Sequence, residues 1–191
     1  PQEKGRNVLC RHAPDDAKRS ERDGVDVTPA GSNARTRVHE YGGGAVVLGG
    51  GGRVYYSEFA DQRLHELVDG SSRPITEGGD RYRFADGVVT PDGTTMYCVR
   101  EDHKDPHPSK VVNEVVAVDL GSGSIEVIAT GNDFYAAPKL SPDGKRVAYI
   151  TWNHPSMPWD ATELRVAELG GGGKESGGHE LVAGEFMQGV A

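Results

Sequence analysis

The chain has 191 residues, enough for one domain with a sizeable core. Its net charge of −8 argues against general nucleic-acid binding, which needs a basic face. No apolar run approaches membrane-spanning length and no secretory signal pattern opens the chain, whose first residue, Pro1, fits a truncated or processed start.

Residues 7–11 and 25–28 are predicted strands that form only the tail of a repeat, a partial blade over 1–32. Between them, 15–24 is a charged insertion read as a surface loop. The next unit, 33–80, has predicted strands at 45–48, 53–58, 63–68 and 73–76, with a glycine turn at 49–52. A second unit, 81–131, has strands at 85–89, 95–100, 113–120 and 125–130 around the turn Thr90-Pro91-Asp92-Gly93-Thr94. The third, 132–184, repeats that order around Leu140-Ser141-Pro142-Asp143-Gly144, with strands at 146–151, 163–169 and 179–184. Its glycine-rich stretch 170–178 is read as a flexible loop, and 185–191 as the start of another unit.

Pro-Asp-Gly makes a tight turn because Pro presets φ, Asp bonds back to the backbone and Gly accepts positive φ. Runs such as Arg53-Val54-Tyr55-Tyr56 and Val115-Val116-Ala117-Val118 carry the β-branched and aromatic residues of strands. Four short strands recurring at a period of about fifty residues are the signature of a propeller blade. The fold class predicted is therefore all-β: a partial β-propeller of four-stranded antiparallel blades, three whole blades with two partial ends. Uncovered blade faces make self-association of such a fragment an expected liability.

In a four-stranded meander, second-to-third loops and inter-blade links share one face. That face collects the candidate binding residues: Arg37, His39, Glu40 and Tyr41; Asp61; Arg81 and Arg83; and Trp152, His154, Trp159 and Asp160. Arg37, His39 and Glu40 suit either a charged peptide end or a structural polar cluster. Trp152 and Trp159 read as packing against a neighbouring blade or domain ahead of a ligand-stacking surface. Gly42-Gly43-Gly44 opens a strand with no helix behind it, so it reads as close backbone approach, not phosphate binding. His103 and His107 are four apart, but Pro106 and Pro108 oppose a helix, so the pair reads as a polar loop and no metal site is assigned. Cys10 and Cys98 fall in predicted strands and read as buried reduced thiols, with a cytoplasmic location as the default. No Gly-x-Ser-x-Gly elbow occurs, no catalytic residue is assigned, and no cofactor is expected.

Several stretches resemble peptidases of the prolyl oligopeptidase family. They are Arg35-Thr36-Arg37-Val38-His39-Glu40-Tyr41-Gly42-Gly43-Gly44, Phe59-Ala60-Asp61-Gln62-Arg63-Leu64 and, most specifically, 151–164 with its His154-Pro155-Ser156-Met157-Pro158-Trp159-Asp160. The nearest subgroup is similar to the dipeptidyl aminopeptidase/acylaminoacyl-peptidase-like enzymes. The resemblance implies a propeller that gates a C-terminal α/β-hydrolase domain carrying a Ser-Asp-His triad, with short peptides as substrates. None of that triad maps onto this sequence. The expected function is gating and substrate selection, with the hydrolase domain of the same parent chain as partner. Rival readings are a stand-alone propeller serving as an interaction module and a metal-dependent propeller hydrolase such as a lactonase.

Overall fold

The computed structural model describes residues 5–12, 24–79, 81–170 and 175–184. The charged insertion, apart from Gly24, and the strand start expected at 185–191 lie outside them. Strands β1 (Cys10–Arg11) and β2 (Val25–Asp26) pair as a two-stranded sheet. Three four-stranded antiparallel meanders follow. The first holds β3 (Val46–Leu48), β4 (Val54–Ser57), β5 (Leu64–Val68) and β6 (Ser71–Pro74). The second holds β7 (Tyr82–Val89), β8 (Thr95–Asp102), β9 (Val112–Asp119) and β10 (Ile125–Ala129). The third holds β11 (Phe134–Leu140), β12 (Arg146–Trp152), β13 (Glu163–Leu169) and β14 (Glu175–Ala183). This is a partial β-propeller. No described helix is long and apolar enough to cross a membrane.

The two Pro-Asp-Gly turns are built alike. Asp92 Oδ1 accepts from the Thr90 hydroxyl at 2.5 Å and the Thr94 amide at 3.1 Å. Asp143 Oδ1 accepts from the Ser141 hydroxyl at 2.6 Å and the Lys145 amide at 3.1 Å. Gly93 and Gly144 take φ of 73° and 68°, which a side chain would strain. The hydroxyl donors, more than anything else, hold both carboxyls below their ordinary range.

The core lies between sheets. Val47, Tyr55 and Leu64 meet Phe84, Met96, Cys98, Val116 and Val118 between the first and second. Tyr97, Val99, Val115 and Ala117 meet Tyr135, Val147, Tyr149 and Ala167 between the second and third. The middle sheet is thus buried on both sides, which explains the unbroken apolar run of β9. The Ser57 hydroxyl adds a bond across the first joint, to the Phe84 carbonyl at 2.8 Å.

Four expectations change. The fourth strand of the first sheet runs Ser71–Pro74, not 73–76, because Asp69 and Gly70 both take positive φ and close a tight hairpin. In the third sheet, β14 already begins at Glu175, pairing with Leu169, so 175–178 is strand rather than loop. Cys10 is exposed, its thiol 3.3 Å from Asp26, because β1 is a two-residue strand with no sheet packed over it among the described residues. Strand β7 starts three residues before the predicted 85 and contains a bulge between Ala85 and Val88, matched by one between Ala136 and Lys139 in β11.

At the first bulge Asp86 has φ of 58°. Its carboxylate accepts the Gly44 amide at 2.6 Å and the Ala137 amide at 3.0 Å, so one side chain ties three blades together. A Cβ on Gly44 would lie 2.9 Å from that carboxylate and one on Gly43 3.0 Å from the Ala85 Cβ, which is the close approach expected of the triple glycine.

Candidate functional site

The link from Arg37 to Gly42 is a strained turn. His39 and Glu40 have φ of 54° and 63°, a left-handed conformation that costs non-glycine residues roughly 1–2 kcal/mol each. Local bonds close it: the Glu40 amide to the Arg37 carbonyl and the Gly42 amide to the Val38 carbonyl, both 2.8 Å. The second sheet holds it in place. The Glu101 carboxylate accepts the His39 amide at 2.6 Å. Arg83 donates to the Arg37 carbonyl at 3.0 Å and to Glu40 at 2.6 Å, and lies 3.6 Å from Glu101. His103 Nε2 lies 2.9 Å from the other Glu101 oxygen. Glu101 and His103 are nearly sealed from solvent, while Glu40 stays open.

On the other side of His39 stands an aromatic cluster. Phe134 and Trp152 stack with centroids 5.3 Å apart. His39 meets both edge-on at 5.5 and 5.4 Å, and His154 meets Phe134 edge-on at 4.9 Å. Tyr41, 66% exposed, places its hydroxyl 3.4 Å from His39 Nδ1. Burial pushes the His39 imidazole below its ordinary pKa against the opposing pull of Glu101 and Asp86, so it is neutral near pH 7. Its Nε2 is buried without a hydrogen-bond partner among the described residues. Burial, then the Asp86 and Glu101 carboxylates, raises the Tyr41 phenol. The resulting surface combines a carboxylate–guanidinium network with rings. Such a surface can bind and orient a ligand.

The structure therefore gathers Arg37 (through its carbonyl), His39, Glu40, Tyr41, Arg83, Trp152 and His154. It leaves four candidates elsewhere. Arg81 is spent on a two-pronged pair with Asp102 at 2.9 and 2.8 Å, which raises its pKa, and lies over Tyr82. Trp159 and Asp160 lie in the β12–β13 loop, where Asp160 caps the Met157 amide at 3.0 Å. Asp61 faces His65 Nε2 at 3.2 Å. Glu101 and His103 are not among the sequence candidates; Glu101 lies in β8 on the same side as the buried Tyr97 and Val99, and β8 is buried on both faces, so its pattern does not single Glu101 out.

Asp61 belongs to a chain of polar contacts that runs Tyr56 hydroxyl to Ser72 hydroxyl at 2.6 Å, then Ser72 to His65 Nδ1 at 2.6 Å. These are the residue types of a nucleophile relay. Ser72, however, is also the acceptor of the Tyr56 proton, and His65 is locked within β5, so the chain reads as a tie across the first sheet. Among the described residues, no three His, Cys, Asp or Glu side chains converge as a metal site.

No family model and no curated protein matches this chain. Solved structures do. A puromycin-hydrolyzing peptidase of Mycobacterium tuberculosis is 37% identical over 85% of this chain and 27% of its own, with a TM-score of 0.74. A puromycin hydrolase is 30% identical over 96% of this chain and 30% of its own, with a TM-score of 0.81. TolB from Acinetobacter baumannii, at 15% identity over 84% of this chain and 35% of its own and a TM-score of 0.54, shares the fold alone. The chain spans no more than 30% of the length of the two peptidases it matches. The partial propeller, its motif-bearing links and this likeness along nearly the whole chain agree: the chain belongs to the prolyl oligopeptidase family, as a propeller portion.

Proposed function

We propose that this chain is the substrate-selecting, non-catalytic propeller portion of a cytoplasmic serine-type peptidase that acts on short peptides. One observation carries the reading: 37% identity along 85% of the chain to a puromycin-hydrolyzing peptidase of which only 27% is matched. The bond-cleaving domain would then belong to the unmatched length, as an α/β-hydrolase domain of the same polypeptide. The His39–Glu101–Trp152 cluster would face that domain and the incoming peptide. Its strained turn, held by Arg83 and Glu101, supports this, since strain of this kind gathers at recognition sites.

The test uses the complete polypeptide that contains this chain. It should release the first residues of short chromogenic peptides, and puromycin is a second substrate to assay. A serine-directed organophosphonate should abolish both activities, and a folded protein should resist cleavage. A complete, folded polypeptide with no inhibitor-sensitive hydrolysis would sink the reading. Hydrolysis of folded proteins and short peptides at equal rates would sink the selecting role.

A further inference from the structure

Two tryptophans seven residues apart point to opposite destinations. Trp152 ends β12, is 3% exposed and forms the floor of the aromatic cluster. Trp159 is 76% exposed, with Met157 beside it in the same loop 39% exposed. Trp159 makes no ring contact with another described residue.

The loop that carries it is firmly built. The Asn153 side chain takes the Asp133 amide at 2.7 Å, and Asp133 takes the His154 amide at 2.8 Å. The Ser156 amide reaches the Asn153 carbonyl at 3.0 Å, and the Asp160 amide reaches the Met157 carbonyl at 2.9 Å. Asp160 closes the turn on the Met157 amide. These bonds fix the backbone from which the exposed indole projects. A tryptophan so displayed forgoes the large apolar burial its ring offers.

Its position narrows the partner. A neighbouring blade would cover the sheet faces, where Ile150 and Leu164 pair across the third sheet. Trp159 lies in the β12–β13 connection, on the loop face, within reach of a body lying over that face. The matched peptidases have about 70% of their length outside the region shared with this chain.

We propose that Trp159, with Met157, is a docking anchor that enters an apolar pocket on another domain of the polypeptide to which this propeller belongs. The inference rests on the reading above, since it takes that domain as the occupant. The pocket it fits is concave and apolar, with one hydrogen-bond acceptor at its rim for the indole N–H. Met157 supplies an adaptable border. Tryptophans with this geometry are the side chains that dominate interface energies.

The test is hydroxyl-radical footprinting of the complete polypeptide, read residue by residue by mass spectrometry. Trp152 is the buried reference and Tyr41 the exposed one. Docking predicts loss of Trp159 modification down to the Trp152 level without added ligand. Trp159→Ala, at a surface position, should leave the propeller folded by circular dichroism while raising modification of Met157 and of one patch on the other domain. Modification of Trp159 at the rate its exposure dictates would overturn the proposal. So would protection only with a bound peptide, which would make it a ligand wall, or only at concentrations where the polypeptide dimerises, which would make a second copy the occupant. No readout depends on hydrolysis, so an inactive but protected polypeptide would sink the functional reading and keep the anchor.

Discussion

Replacing Asp86 with alanine removes a side chain that bonds with both flanking blades. Two backbone amides, Gly44 at 2.6 Å and Ala137 at 3.0 Å, lose a charged acceptor. Hydrogen bonds to charged groups contribute about 1.5–3 kcal/mol each, and the half-buried setting favours the lower end. Alanine must also adopt φ of 58°, which costs about 1 kcal/mol more. Asp86→Ala should therefore destabilise the propeller by about 3–4 kcal/mol. In a domain of this size that corresponds to a fall in Tm of roughly 6–16 °C. Asp86→Asn keeps one acceptor oxygen and tolerates the left-handed backbone, so it should lose about 1–2 kcal/mol. Urea unfolding followed by circular dichroism measures both. A loss below about 1 kcal/mol for alanine, or equal losses for the two variants, would refute the clasp.

Glu101→Gln keeps an oxygen for the His39 amide but removes the charge shared by Arg83 and His103, and should cost about 1–3 kcal/mol in the same unfolding assay. His39 has a folded pKa below its ordinary 6.5, so the unfolded chain binds more protons as pH falls; stability should drop on acidification from just above 6.5 toward the folded value, and His39→Phe should flatten that slope in pH-dependent urea melts. Burial raises the Cys98 thiol to about 12, while Cys10 is exposed, so an aromatic disulfide reagent should titrate Cys10 alone until the protein is unfolded. The Tyr56–Ser72–His65 chain acts as a tie, so Ser72→Ala should lose about 1 kcal/mol of stability, and a fluorophosphonate probe should leave Ser72 unlabelled in peptide mapping.

Much of the frame was legible because turn chemistry is local. Thr90-Pro91-Asp92-Gly93 and Ser141-Pro142-Asp143-Gly144 specify their own geometry, and the apolar runs around them have nowhere to go but into sheets. The gathering of His39, Glu40, Tyr41, Arg83 and Trp152 was legible only as a shared face, since meander topology says which loops sit together and not which side chains touch. Two Asp-Gly pairs held more than was read from them. Asp69-Gly70 sets a hairpin two residues earlier than propensity suggested, and Asp86-Gly87 marks a bulge inside a strand. The pairing of Glu101 with the His39 amide joins residues 62 apart, and no local pattern encodes it. Cys10 was misread because strand propensity carries no information about whether another sheet covers the strand.

Val115 and Val116 are adjacent in the chain, yet one faces the joint with the third sheet and the other the joint with the first. Nearest neighbours in sequence are thus strangers in packing, while Val115 shares its fate with Tyr135 and Val147 from another repeat. Paired cavity mutants at Val115 and Val116 would therefore weaken two separate seams from one spot in the gene. Propellers of this build can retune each seam independently, with a single strand serving as the boundary wall of both.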